Sequence, residues 1–297
     1  MTIRSLRRQD PAYPRLLAQI PDPPPRLWLR GEADVVLLDR PALAIVGART
    51  CSGYGRSVAR LLASESAAAG AVVLSGLARG IDGEAHRGAI ATGTTVAVLG
   101  CGVDRDYPAA HAELARAIVA SGGLVVSEYE PGVEPAPWRF PARNRIIAGL
   151  ALATVVVEAR ERSGALITAD FALEDGREVL AVPGEITSAL SDGTNALLRL
   201  GATPATCTAD VLEAIGLASP EKRDLVPDDP AARAVLAALD QGGTTLDELG
   251  RAAALTAGEL AAALAFLELA GAVSIEDGEV RRLTGAQQRR TGTTIAR

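Results

Sequence analysis

The stretch from Val72 to Asp82 reads VVLSGLARGID. A short apolar run passes through Ser75 and Gly76 into a Gly-rich loop, and Asp82 then opens a segment of helical composition. A strand buried on both faces has such a continuous apolar pattern, and Gly supplies the backbone freedom that a tight strand-to-helix turn needs. Leu43–Val46, Thr95–Leu99, Leu124–Ser127, Thr154–Val157 and Val179–Val182 repeat the pattern. Helical stretches at 54–69, 82–92, 110–120, 165–175 and 192–200 alternate with them, which predicts parallel strands joined by crossover helices.

The fold expected for residues 40–216 is therefore α/β, an extended Rossmann-like parallel sheet with flanking helices. Working outward, residues 1–39 read as a short N-terminal segment, and the run Pro21 to Pro25 (PDPPP) as an extended connector. Apolar content collapses after Leu217, so 217–229 reads as a linker. Residues 230–285 follow a different pattern. Ala231–Leu239, Leu246–Ala254 and Thr256–Ala270 are helical in character, with Thr245 and Thr256 as N-caps and Gly271 as a stop. Two short strands, Val273–Ile275 and Val280–Leu283, flank an Asp277-Gly278 turn. Three helices and a hairpin predict a small winged-helix domain, and the apolar-poor tail 286–297 is expected to be disordered.

Composition narrows the function classes. No stretch approaches the roughly 20 apolar residues of a membrane span. The start, MTIRSLRRQDPAYPRLL, lacks an apolar h-region, so no secretory signal is expected and the reading is cytoplasmic. Cys51, Cys101 and Cys207 match neither a disulfide framework nor a zinc site, and no metal is expected. The chain carries a net charge of −6, and every basic residue except Lys222 is Arg. Any nucleic-acid site must then be local rather than a broad basic surface.

In an open parallel sheet, ligands bind beyond the carboxyl ends of the strands. The loops there carry Gly47 and Arg49; Ser75, Gly76, Arg79 and Gly80; and Ser163 and Gly164. Backbone N–H groups and helix N-termini gathered on one edge would form an anion site, with Arg49 and Arg79 adding guanidinium groups suited to phosphate. The dinucleotide fingerprint G-x-G-x-x-G is absent, and with Lys222 alone in the linker a P-loop is excluded. No cofactor is expected. The densest cluster is Trp138-Arg139-Phe140-Pro141-Ala142-Arg143-Asn144-Arg145. Aromatic faces beside cations form the composition that single-strand binding uses. His86 reads as a helix-surface histidine bonded to a neighbour rather than a general base.

In order, VGART (46–50), SGLARGIDGEAH (75–86), VAVLGCGVDRDYP (96–108), GLVVSE (123–128), FPARNRIIAGL (140–150), VVVEARERSGALITA (155–169), GREVLAVPG (176–184) and SDGTNALLRLGA (191–202) resemble the DNA processing protein A family (DprA, also called Smf). Residues 13–32 resemble the segment preceding the core in that family. The resemblance implies a non-enzymatic single-stranded DNA binder of natural transformation and recombination, protecting incoming DNA and loading the RecA recombinase. It implies a homodimer formed through the Rossmann-like core, with no membrane partner. Carried over by position, the family's G-[SA]-R Arg falls on Arg49, and its Phe-Pro-x-Arg-Asn-Arg motif on Phe140, Pro141, Arg143, Asn144 and Arg145. Members often carry Lys where this chain has Ala109 and Pro137, and Arg139 or Arg105 is placed to replace the charge.

Two other classes were weighed. The chain resembles LOG-type phosphoribohydrolases at superfamily level, yet Glu158 to Ala165 (EARERSGA) lacks their Pro-Gly-Gly-x-Gly-Thr-x-x-Glu motif. A transcription regulator using only the winged helix is disfavoured by the acidic balance of residues 217–297.

Overall fold

The computed structural model describes residues 2–218, 229–240, 245–269, 272–276 and 279–282. The chain divides into two compact units, Met1–Pro220 and Glu221–Arg297. In the first, β1 (Ile3–Arg7), α1 (Arg15–Ala18), β2 (Arg26–Arg30), β3 (Ala42–Val46), α2 (Gly53–Ala68), β4 (Val72–Ser75), α3 (Ile81–Ile90), β5 (Thr94–Val98) and α4 (Ala112–Ala120) follow one another. They are succeeded by β6 (Leu124–Ser127), α5 (Arg139–Leu150), β7 (Ala153–Val156), α6 (Gly164–Glu174), β8 (Glu178–Ala181), α7 (Asp192–Arg199), β9 (Thr203–Pro204) and α8 (Thr208–Ala214).

All nine strands share one sheet, in the order β1-β2-β6-β5-β4-β3-β7-β8-β9. The six apolar runs are its parallel interior, as expected from sequence. Strand alternation divides the interior between two faces. Ala42, Ala44 and Val46 pack with Ile146 and Ile147 of α5 and Ala169 of α6. Leu43 and Ile45 pack with Ala59 and Leu62 of α2 and Ala85 of α3. Few aromatics are available, so small aliphatic side chains fill both layers.

Residues 1–39, expected to stand ahead of the core, supply two strands of the same sheet. β1 and β2 pair antiparallel, and β2 pairs antiparallel with β6. Leu27 and Leu29 alternate into the core while Arg26 and Trp28 do not, the signature of a strand near a sheet edge. The proline-rich connector is anchored rather than free, with Tyr13 Oη donating to the Pro24 carbonyl at 2.8 Å.

The chain reverses direction across the sheet at β3. β4, β5 and β6 lie on one side of it, β7, β8 and β9 on the other. Such a switch point opens a crevice beyond the strand's carboxyl end, and Gly47 to Thr50 lie there.

His86 is fully buried, not on the helix surface. Thr95 Oγ1 donates to the Val73 carbonyl at 2.6 Å and meets His86 Nδ1 at 2.7 Å, so Nδ1 must carry the ring proton. Nε2 is left as a buried lone pair with no partner. Burial, with His111 and Arg143 nearby, pushes the imidazole pKa down to about 3. The unfolded chain takes up a proton near pH 6.5, where the native state refuses it. Stability should therefore fall as pH drops from about 6.5 toward 3. Urea midpoints measured against pH should show this slope flattened in His86→Gln. Parallel curves for parent and variant would show that the imidazole is not the source.

In the second unit, α9 (Pro230–Asp240), α10 (Leu246–Ala252) and α11 (Ala257–Leu269) precede an antiparallel pair, β10 (Val273–Glu276) and β11 (Glu279–Arg282). Thr245 caps α10 in a reciprocal box with Glu248. Val235, Leu249, Leu264, Leu267, Val273 and Val280 share one core, giving the three helices and hairpin of a winged helix. Gly271, the Asp277-Gly278 turn, residues 219–228 of the expected linker and the tail 286–297 lie outside the described residues. Among the described residues, no single helix is long and apolar enough to cross a membrane.

Candidate nucleic-acid interface

The loops after β3 and β4 interlock. Ala48 N–H donates to the Glu158 carbonyl at 2.7 Å, and Ile81 N–H to the Ala48 carbonyl at 3.2 Å. Gly80 has φ +78°, and a Cβ there would lie 2.2 Å from the Ala48 carbonyl oxygen. Only glycine allows that approach. The fit fixes the backbone of Arg49, whose side chain is left exposed.

Internal carboxylates take some of the backbone donors at this edge. Glu158 is buried and accepts from Ser52 N–H at 2.9 Å and from Ser52 Oγ; Ser52 Oγ in turn accepts from Gly55 N–H at 3.0 Å and caps α2. Asp82 Oδ2 accepts from Gly76 N–H at 3.1 Å and Ala78 N–H at 3.4 Å. Negative charge at these positions is stabilised by helix-terminus dipoles, but the donors are then no longer available. Burial raises the Asp82 pKa, while Arg143 and the two N–H groups oppose the rise. Ser75 is also turned inward, its Oγ donating to the Ile45 carbonyl at 2.7 Å.

The three arginines of the aromatic cluster have different partners. Arg143 is 4% exposed; Nη1 donates to the carbonyls of Gly76 (2.7 Å) and Val98, and Nε to Asn144 Oδ1. Arg145 is forked on Glu128 through two 2.8 Å bonds and also pairs with Asp22 at 3.1 Å. Arg139 donates to the Glu134 carbonyl and lies 4.9 Å from the ring centroid of Tyr129 and 4.7 Å from that of Trp138. Asn144 Nδ2 donates to the Gly164 carbonyl at 3.0 Å, tying α5 to the start of α6.

Two adjoining cavities share Arg49 and Phe140 in their linings. The larger, about 430 Å³, is lined by Gly47, Arg49, Phe140, Arg160, Arg162 and Ser163 among others, with Gly164 at its wall. The smaller, about 230 Å³, takes in Gly76, Arg79 and Tyr107, again with Arg49 and Phe140. Phe140 lines both, as do Arg49, Ala78 and Arg143. Its ring stacks on Tyr107 at 5.3 Å and 22°, and the Arg49 guanidinium sits 5.7 Å from its centroid. The structure thus gathers Gly47, Arg49, Gly76, Arg79, Phe140, Arg143, Asn144, Ser163 and Gly164 around two cavities; Ser75, Gly80, Arg139 and Arg145 line neither.

Arg160, Arg162 and Tyr107 were not singled out from sequence as site residues. Their signal was position: the first two follow β7 and Tyr107 follows β5, at the same sheet edge. Arg49, Arg79, Arg160 and Arg162 are all exposed, and none makes an ion pair among the described residues.

A family model described as DNA recombination-mediator protein A matches residues 4–216, and one for a DprA winged helix domain matches 219–279. Protein Smf of Escherichia coli is 37% identical over 298 residues, covering 95% of this chain and 78% of its own. The X-ray structure of DNA processing protein A from Streptococcus pneumoniae superposes with a TM-score of 0.66 at 43% identity, over 72% of this chain and 74% of that one. The Helicobacter pylori counterpart, studied for its single-stranded DNA binding mode, gives 0.65 at 29% identity, over 72% and 96%.

Proposed function

This chain belongs to the DNA recombination-mediator protein A family, and on that premise we propose that it binds single-stranded DNA in the crevice at the carboxyl edge of its sheet. The observation that carries the reading is the Arg49–Phe140–Tyr107 stack at two adjoining cavities. Unpaired bases have free faces to lay against an aromatic ring, whereas duplex bases do not. The exposed Arg49, Arg79, Arg160 and Arg162 supply phosphate contacts, which position the strand without reading its sequence.

The role in the cell follows the family: protection of incoming single strands in natural transformation and loading of the RecA recombinase onto them, with a homodimer as the working unit. A hydrolytic role has no support in the site. Both carboxylate oxygens of Glu158 are committed to Ser52, so this acid is not poised for a substrate.

Anisotropy with labelled oligo-dT and a duplex of equal length tests the reading. Oligo-dT should bind and the blunt duplex should bind far more weakly; equal affinity would sink the proposal. Four available arginines at roughly −0.7 each set the slope of log K against log salt near −3 per protomer, doubled if both protomers hold one strand. Arg160→Ala and Arg162→Ala should each flatten it by about 0.7. A slope near zero would show that these side chains do not touch phosphate.

A further inference from the structure

We propose that Trp138, with Arg139 and Tyr129, forms a second base-stacking subsite, so that one strand is gripped at two aromatic points along the sheet edge. This rests on the single-strand reading and extends it beyond the two cavities.

Aromatics make up 3% of the chain. Even so, Tyr107, Tyr129, Trp138 and Phe140 gather around the start of α5, and Trp138 is 64% exposed. It is held, not loose. The Arg139 guanidinium lies 4.7 Å from its ring centroid, and Tyr129 meets it edge-on at 6.5 Å. Arg139 is itself fixed by the Glu134 carbonyl and by the Tyr129 ring. A large ring on a pinned support, with most of its surface in water, offers a flat apolar face at little further ordering cost, which is what an unpaired base needs.

The placement is continuous with the Phe140 site. Trp138 and Phe140 are two residues apart at the head of α5, and Tyr129 follows β6. β6 neighbours β5, whose following loop supplies Leu99, Gly100 and Tyr107 to the smaller cavity. From β3, with Arg49, to β6 is three strand spacings, about 14 Å. An extended run of unpaired nucleotides crosses such a span; a single nucleotide bound in the crevice does not.

Charge decides what this subsite recognises. Glu128 and Glu134 stand beside it. Glu128 is neutralised by Arg145 and Glu134 is paired with Arg105 at 2.8 Å. Arg105 and Arg145 are spent on these acids, and Arg139, which makes no ion pair among the described residues, is held by the Glu134 carbonyl and against the two rings rather than turned to a phosphate. The subsite therefore takes the base and not the backbone.

The test uses the full chain with Trp28→Phe, which leaves Trp138 as the sole tryptophan. Oligo-dT of increasing length should quench its emission only once the strand is long enough to pass the Phe140 cavities. Trp138→Ala should lower affinity for long oligo-dT roughly 5- to 150-fold, the range for one stacked base. Short oligo-dT should bind as before, the salt slope should stay within one phosphate of the parent, and Trp138→Phe should restore much of the loss. Unchanged emission at saturation, with Trp138→Ala binding every length like the parent, overturns the second subsite and leaves the first standing. A loss equal at all lengths, accompanied by a lower urea midpoint, assigns Trp138 to the fold and also overturns it. Absence of oligo-dT binding by the parent removes the single-strand reading and this one together.

Discussion

Replacing Arg143 by alanine is expected to destabilise the first unit by about 2–6 kcal/mol, at roughly 1–3 kcal/mol for each of the two buried carbonyls left without this donor. Arg143 and Asp82 grip the same residue from two sides. The guanidinium takes the Gly76 carbonyl and the Asp82 carboxylate takes the Gly76 N–H. Burial pulls the Arg143 pKa down to about 10, so it remains charged at neutral pH. Without it, the Gly76 and Val98 carbonyls lose this donor at once, and the buried Asp82 carboxylate loses a nearby positive charge. Arg143→Lys should recover only part of the loss, because an ammonium can serve the two carbonyls that Nη1 reaches but not, at the same time, the Asn144 Oδ1 that Nε serves. Urea denaturation followed by circular dichroism measures the effect. A variant that melts with the parent but no longer binds oligo-dT would make Arg143 a phosphate contact instead.

Phe140→Ala should cost about 1–3 kcal/mol of single-strand affinity for each stacked base lost. It would also remove a ring that lines both cavities. The ring is half-buried, so most of the penalty falls on binding and little on the fold. Phe140→Tyr keeps a stacking face and should retain most of the affinity. Anisotropy with oligo-dT reads the difference, and equal affinity for Phe140→Ala and parent would place the strand elsewhere.

How much of this was legible in the sequence depended on whether a signal was local. The interior strands were readable because burial on both faces writes itself as an unbroken apolar run, as in Val72 to Leu74. β1 was not, since a sheet-edge strand such as Ile3 to Arg7 (IRSLR) carries arginines that composition assigns to a loop. The site was readable as a place, because Gly-rich turns mark the carboxyl edge. It was not readable as a set of free cations. Arg49, Arg143 and Arg145 look alike in sequence. Only the fold shows that the first faces the crevice, the second braces Gly76 and the third is forked on Glu128. The same holds for the backbone donors, which Glu158 and Asp82 occupy from 106 and 6 positions away in the chain. Arg160 and Arg162 went unmarked because their loop was compared with a glycine motif it lacks, not with the cavity it rims.

The antiparallel attachment of β2 to β6 has a consequence for the newborn chain. A ribosome releases β2 roughly a hundred residues before β6, and at about 5–20 residues per second the interval is on the order of 5–20 s. During that time β2 has β1 beside it but not β6, and Leu27 and Leu29 lack the core they pack into, while β3, β4 and β5 emerge and can begin to zip in order. The β1–β2 pair is thus made before the parallel interior and secured after it, and the interior grows while its own border waits. A holding chaperone that favours short apolar segments would find its best opportunity at the amino terminus, early in synthesis, and lose it once Ser127 clears the exit tunnel.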